Sequence, residues 1–141
     1  MRFMIIRKAD SETEAGVLPS EALVTAMLAY NDEMIMAGVM IDGAGLQKSD
    51  KGARISFRNG AATITDGPFA ETKELVAGFW IWEVKSMAEA IEWVKRCPNP
   101  MPGDSDIEIR QIFSAEDFGD ALTPELRERQ EKMRAHLAAK K

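Results

Sequence analysis

Apolar and polar positions follow one another in regular patterns along the chain and predict most of its elements. A short apolar run at residues 2–7 predicts a first strand, and a polar loop follows over residues 8–19. Apolar residues then recur every three or four positions, which predicts a helix. Ser20 can cap this helix, and Gly38 can end it in the left-handed conformation. The recurring residues are Leu23, Met27, Tyr30, Met34 and Ala37.

The middle of the chain alternates in the manner of paired strands. Residues 54–58 and 62–65 both alternate, and Asn59-Gly60 lies between them. Asn-Gly tolerates positive φ at both positions, so it is a strong signal for a two-residue hairpin turn. A short apolar piece at residues 39–41 predicts a further strand before this hairpin.

The second half of the chain repeats the strand and helix signals. Residues 78–84, read as GFWIWEV, predict a strongly apolar strand. Ser86 caps a second helix that Pro98 ends, and residues 107–113 predict the last strand. Thr123 followed by Pro124 predicts a terminal helix that is mostly charged.

This order of elements predicts the fold class. It is an α+β, ferredoxin-like βαββαβ arrangement with an inserted β-hairpin and an extra C-terminal helix. Two helices cover one face of such a sheet, yet the strands are apolar on both faces, and Trp80 and Trp82 add to this surface. We therefore expect a homodimer in which a second sheet covers the open face, a dimeric α+β barrel. We expect one domain at residues 1–118 and a helical extension at residues 119–141.

Composition narrows the classes of partner. The chain has 141 residues and a net charge of −5, which argues against a nucleic-acid partner and against an anionic membrane surface. Cys97 is the single cysteine, so an internal disulfide and a cysteine-rich metal site are excluded. The sequence has no glycine-rich phosphate loop and no paired-histidine zinc motif, and we expect neither cofactor nor metal. A bacterial-type cytoplasmic protein is the default interpretation.

The stretch D-G-P-F-A-E-T-K-E, residues 66–74, concentrates turn residues and charges between two apolar strands. Asp66 is a candidate general base or ligand anchor, and the alternative is an aspartate that caps its own turn. Gly67 and Pro68 are expected to form the turn, and Phe69 is expected to plug the core and pin the loop. Lys73 would keep Asp66 ionised and hold an anionic ligand.

Three further residues are candidates for ligand binding. Arg7 and Arg110 lie near strand ends and could bind an anion, but ion pairing with the excess acidic residues is the preferred interpretation. Trp80, like Trp82, could line an aromatic pocket, but a place in the core of the dimer interface is the preferred interpretation. The sequence alone leaves these alternatives open.

Three segments carry a family resemblance: TDGPFAETKELVAGFWIWEV, AEAIEWVKRCP and IEIRQI. Together they resemble the YCII-related, DGPF-motif proteins over about residues 1–113. The resemblance implies a ferredoxin-like subunit and a dimeric α+β barrel, with a His–Asp pair in a cleft. Asp66 matches the aspartate of that pair. The single histidine, His136, lies outside the resemblance, in the terminal helix.

These observations predict a protein that binds a small anionic or aromatic molecule in a cleft near Asp66. One alternative is a small lyase- or isomerase-like enzyme in which Asp66 takes a proton and Lys73 or Arg110 steadies the anion. Another is a purely structural dimerisation module.

Overall fold

The computed structural model describes residues 1–98 and 105–140, apart from the side chain of Lys73. The strands are β1 Arg2–Lys8, β2 Met40–Gly45, β3 Ala53–Arg58, β4 Ala61–Asp66, β5 Val76–Glu83 and β6 Ile107–Gln111. The α-helices are α1 Ser11–Glu14, α2 Glu21–Met36, α3 Met87–Lys95 and α4 Pro124–Ala139. Short 3₁₀ helices span Ser49–Lys51, Thr72–Glu74 and Ala115–Ala121.

Four of the six strands form one antiparallel sheet, in the order β2-β5-β1-β6. With α2 between β1 and β2, and α3 between β5 and β6, this is the ferredoxin-like arrangement. The predicted α+β fold is therefore confirmed for the subunit. The hairpin β3-β4 forms a separate two-stranded sheet, inserted between β2 and β5.

One face of the sheet carries the core. Phe3 on β1 pairs with Trp82 on β5, so both side chains point to the same face, and both are fully buried. Met34 of α2 and Ala90 of α3 are also fully buried in this core. The hydroxyl of Tyr30 donates to the carbonyl of Trp93 at 2.5 Å, which ties α2 to α3.

Trp80 and Trp82 lie in this subunit core, next to each other with ring centroids 5.8 Å apart. The alternative that placed them in the core of a dimer interface is therefore wrong. Alternation along β5 shows that two sets of side chains face opposite ways, but it does not show which set the helices cover. The register with β1 and the helix contacts decide that.

The opposite face of the sheet has a partly exposed apolar centre. It consists of Met4, Ile6, Phe79 and Ile81, which pair across β1 and β5. Charged residues lie around this centre, including the ion pairs Arg2–Glu83 at 3.2 Å and Lys8–Glu108 at 3.7 Å. The sequence prediction of apolar side chains on both faces is thus correct.

The β3-β4 hairpin turns at Asn59 and Gly60, with φ values of 52° and 77°. These are the left-handed conformations that the Asn-Gly pair predicts. Ile55 pairs with Ile64, and Phe57 with Ala62, so these side chains share one face of the hairpin. Phe57 is 82% exposed, which leaves that face uncovered within the subunit.

The segment predicted as a polar loop after β1 contains the short helix α1. Asp10 caps it by accepting a hydrogen bond from the backbone N–H of Thr13 at 2.8 Å, and the Thr13 hydroxyl accepts one from the N–H of Asp10. A four-residue polar helix has no apolar repeat to reveal it in the sequence. Its place at the end of β1 puts acidic side chains beside the cavity described below.

The chain divides into two compact units, Met1–Gln111 and Ile112–Lys141. In the second unit, the rings of Phe113 and Phe118 stack with centroids 5.0 Å apart. Helix α4 begins after Thr123, whose hydroxyl caps it, and carries the ion pair Glu128–Lys132 at 3.3 Å. The division into residues 1–118 and 119–141 stays a prediction. Within the described part of the chain, no helix is both long enough and apolar enough to cross a bilayer.

Candidate functional site

Two neighbouring cavities lie in the first unit, and Arg7 lines both. The larger has a volume of about 750 Å³ and lies between the segment after β1 and the turn at Lys48–Lys51. The smaller, about 340 Å³, lies between α2 and strands β2 and β5. Pro19 and Leu23 also line both cavities. We call these two cavities together the Arg7 cleft.

Arg7 reaches this position because it continues the buried alternation of β1 after Phe3 and Ile5. Its Nε atom is buried and has no hydrogen-bond partner in the described part of the protein. None of the ion pairs between described residues includes Arg7. Desolvation by burial lowers the pKa of Arg7, and the nearby Cys97 partly offsets this shift. The fold therefore holds a desolvated cation beside a cavity.

Trp80 forms the aromatic wall of the smaller cavity and contacts Arg7. The guanidinium carbon of Arg7 lies 5.7 Å from the Trp80 ring centroid, a cation–π distance. The indole N–H donates to Oδ1 of Asn31 at 3.0 Å, and Tyr30 packs edge-on at 5.8 Å. A Cβ atom at Gly43 would lie 2.6 Å from the indole, so glycine is needed there. These contacts fix the orientation of the ring.

The larger cavity has walls of mixed charge. Asp10, Glu12 and Glu14 contribute carboxylates from the segment around α1, and Lys48 and Lys51 contribute ammonium groups from the facing turn. Lys48 also pairs with Asp50 at 3.3 Å. The larger cavity therefore presents side chains of both charges to a ligand.

The turn that carries Lys48 and Lys51 is held in place by the segment at residues 66–69, which we call the DGPF turn. The Ser49 hydroxyl accepts a hydrogen bond from the backbone N–H of Phe69 at 3.0 Å and donates one to a carboxylate oxygen of Glu14. The other Glu14 oxygen accepts from the Ser49 backbone N–H at 3.0 Å. The backbone N–H of Gly67 donates to the carbonyl of Gly52 at 3.1 Å.

Gly67 packs directly against the backbone of Ser49. A Cβ atom built there would lie 1.7 Å from the carbonyl oxygen of Ser49, so no other residue fits without movement of the backbone. Phe69 is half-buried and lies outside the core cluster, contrary to the expectation that it plugs the core. Its ring packs under the Arg54 guanidinium instead, 3.9 Å from centroid to carbon. This contact joins the β3-β4 hairpin to the DGPF turn.

The structure separates the other candidate residues from the Arg7 cleft. Asp66 is exposed at the end of β4, pairs in register with Ala53 and lines neither cavity. Arg110 lies on the opposite face of the sheet and pairs with Glu108 at 3.2 Å. The side chain of Lys73 lies outside the described part of the chain, and its ligand role stays a prediction. Of the ligand-binding candidates, Arg7 and Trp80 come together.

Sequence reasoning missed the residues that join the DGPF turn to the cleft. Ser49, Glu14, Lys48 and Lys51 come from loops without an apolar period, so no pattern singled them out. In the described part of the chain, no group of three His, Cys, Asp or Glu side chains is placed to hold a metal ion. Asp104, which alternates with Asp106 and Glu108 in the sequence, lies outside the described residues.

Comparison with known proteins gives the class of the chain. The model of the YCII-related domain matches residues 1–118, so the protein belongs to the YCII-related domain family. It is 28% identical, over 92 residues, to an uncharacterised protein, R00369, of Rhizobium meliloti (strain 1021). That match covers 65% of this chain and 74% of the relative.

A solved structure also resembles this fold. It is the 5-chloro-2-hydroxyhydroquinone dehydrochlorinase TftG from Burkholderia phenoliruptrix AC1100, in complex with 2,5-dihydroxybenzoquinone. The identity is 19% and the TM-score is 0.41, and the match covers 81% of this chain and 96% of the other. At this level the likeness concerns the fold and gives no argument about activity.

Proposed function

We propose that this protein binds a small organic anion in the Arg7 cleft and that Arg7 is its anchor. The observation that carries the proposal is the buried Nε atom of Arg7, which has no partner among the described residues and lies beside two cavities. A buried donor without a partner costs about 1–3 kcal/mol, and more when the group is charged. A ligand that accepts this hydrogen bond removes the cost.

An anion fits Arg7 better than a neutral ligand does. The guanidinium remains protonated at neutral pH, because burial lowers the pKa of an arginine from a value far above neutrality. Its planar fork matches a carboxylate with two parallel hydrogen bonds. The volumes of the two cavities, about 750 and 340 Å³, fall in the range of ordinary small-molecule sites.

Isothermal titration of a panel of small carboxylic acids tests this proposal on the wild-type protein and on Arg7→Met. We expect the substitution to weaken binding about 10- to 100-fold, the loss of a charge-assisted hydrogen bond. Arg54→Met is the matched control, because Arg54 also packs over an aromatic ring but lines neither cavity. Equal affinities for wild type and Arg7→Met would contradict the proposal.

An enzyme that uses Asp66 as a general base is the second candidate function. It is favoured by the place of Asp66 on the same hairpin face as Ile55 and Ile64, since a partner covering this face would desolvate the carboxylate. The test is deuterium exchange at the acidic carbon of phenylpyruvate, followed by NMR. We expect wild type to accelerate the exchange and Asp66→Asn not to. No acceleration by wild type counts against an enzyme of this kind.

We also propose that the protein is a homodimer in which a second copy covers the open face of the sheet. The partly exposed apolar centre formed by Met4, Ile6, Phe79 and Ile81 supports this, because its charged rim resembles that of a protein interface. Sedimentation analysis of Ile81→Arg should then show a monomer. Phe57→Arg on the hairpin and removal of residues 123–141 show whether those segments contribute. An Ile81→Arg protein that remains fully dimeric would remove this interface.

The remaining assignments rest on the sequence alone. A cytoplasmic location and a bacterial origin stay predictions, as does the lack of nucleic-acid, membrane and cofactor partners. Whether the terminal helix contributes to dimerisation is tested by the removal of residues 123–141.

A further inference from the structure

The smaller cavity differs from the larger one in its chemistry. Apart from Arg7 and Asn31 its side chains are apolar, with Leu23, Met27, Met40 and Trp80 among them. The Asn31 amide oxygen already accepts from the Trp80 indole N–H. The cavity therefore offers an apolar, aromatic wall with one cation at its edge.

Trp80 and Arg7 together define a binding geometry. The guanidinium lies 5.7 Å from the Trp80 ring centroid, so a planar ring placed along the indole would have its acid group within reach of Arg7. The indole cannot turn away easily, because Asn31, Tyr30 and the close approach of Gly43 hold it. A rigid wall favours a rigid, flat ligand, since neither partner must be ordered on binding.

The charges around the cleft indicate which kind of acid fits. The larger cavity, which Arg7 also lines, has walls of mixed charge, with Asp10, Glu12 and Glu14 set against Lys48 and Lys51. A carboxylate carries a single charge and matches the guanidinium fork of Arg7. A small aliphatic acid would satisfy Arg7 but leave the smaller cavity without an apolar occupant.

From these observations we infer that the ligand is an aromatic carboxylate whose ring occupies the smaller cavity against Trp80 and whose acid group binds Arg7. This inference rests on the proposed function, because Arg7 is the anchor in both. It adds the chemical class of the ligand and the smaller cavity as the place where its ring binds.

An NMR titration with benzoate and acetate tests the inference. The chain has three tryptophans, so the indole N–H signals are few, and Trp80→Phe assigns that of Trp80. We expect benzoate to shift the Trp80 signal and to bind wild type at least tenfold more tightly than acetate. The Trp93 signal serves as an internal reference, since Trp93 lines neither cavity.

A variant that fills the smaller cavity separates its role from that of Arg7. Gly45 lines this cavity on the Trp80 side of β2, and a Cβ atom there meets nothing within 4 Å. We expect Gly45→Leu to lower benzoate affinity to that of acetate. Ala61→Leu, on the exposed hairpin and outside both cavities, is the control and should bind both acids as wild type does.

The outcomes distinguish the two proposals. If benzoate and acetate bind wild type equally, or Gly45→Leu binds benzoate as wild type does, the aromatic site is overturned while anion binding at Arg7 stands. If neither acid binds wild type, or Arg7→Met binds both unchanged, the proposed function itself fails and the inference fails with it.

Discussion

The Arg7 cleft and the DGPF turn differ in whether their polar groups have partners. In the DGPF turn, the backbone N–H groups of Phe69 and Gly67 are hydrogen-bonded to the hydroxyl of Ser49 and the carbonyl of Gly52. In the cleft, the Nε atom of Arg7 is buried without a partner among the described residues. The Nε1 atom of Trp82 is also buried without a partner among the described residues, but Trp82 lines neither cavity. The difference teaches that a distinctive sequence motif can serve the structure, while an unpaired group beside a cavity is available to a ligand.

The two regions are nevertheless connected. Glu14 lines the larger cavity and also accepts both hydrogen bonds from Ser49, whose hydroxyl is bound by the Phe69 N–H. The DGPF turn therefore braces the loop that carries Lys48 and Lys51. Substitutions in the turn are expected to act on stability first, and substitutions at Arg7 on binding.

The largest expected effect on stability comes from Gly67→Ala. Its Cβ would lie 1.7 Å from the Ser49 carbonyl oxygen, so the backbone at Ser49 or Gly67 must move. We expect a loss of about 2–3 kcal/mol in the free energy of unfolding. Gly45→Ala is the control, because its Cβ meets nothing within 4 Å, and should change stability by less than about 1 kcal/mol. Urea unfolding measures both, and equal losses would show that the close contact at Gly67 is not important.

A smaller effect is expected from Ser49→Ala. The substitution leaves the Phe69 N–H without its acceptor and Glu14 without one donor, which should cost about 1–2 kcal/mol in urea unfolding. Ser56→Ala, on the β3-β4 hairpin, should change stability by less than about 0.5 kcal/mol. If Ser49→Ala proves as stable as Ser56→Ala, the DGPF turn does not act through Ser49.

The smallest expected effect concerns the thiol of Cys97. Burial raises the pKa of this thiol, and the positive charge of Arg7 lowers it. A bound carboxylate neutralises Arg7, so the pKa of the thiol should rise further, and less thiolate should be present at any pH below it. Alkylation by iodoacetamide should slow when benzoate is added.

The pH profile separates this electrostatic effect from simple blocking of the thiol. A raised pKa moves the whole alkylation profile to higher pH and leaves the rate of the full thiolate unchanged. The profile of Arg7→Met should already lie at higher pH and should not respond to benzoate. A benzoate response that persists in Arg7→Met would contradict a ligand held by Arg7.

The fold followed from the sequence because its signals are local. The Asn59-Gly60 turn, the Ser20 cap and the apolar strands were predicted from residue type and spacing, and the structure confirms them. The face on which Trp80 and Trp82 lie was not predictable, because alternation gives two faces without naming the covered one. Only the register of β5 with β1 decides it.

The candidate site could be predicted in part. Arg7 and Trp80 were named from the sequence, but the preferred interpretation for Arg7 was an ion pair, as Arg110 in fact forms with Glu108. A strand-end arginine looks the same in a sequence whether it meets a carboxylate or a cavity. The cleft itself depends on loops at residues 8–19 and 46–51, whose positions are set by long-range hydrogen bonds such as that between Glu14 and Ser49.

The most direct test of the account is the stability of Arg7→Met with and without benzoate. Methionine keeps an apolar stem and removes the desolvated charge, so without ligand the variant should be at least as stable as wild type in urea unfolding. Benzoate should stabilise wild type in proportion to its occupancy and should leave the variant unchanged. An Arg7→Met protein that is markedly less stable than wild type, yet still stabilised by benzoate, would show that Arg7 serves the fold and not the ligand.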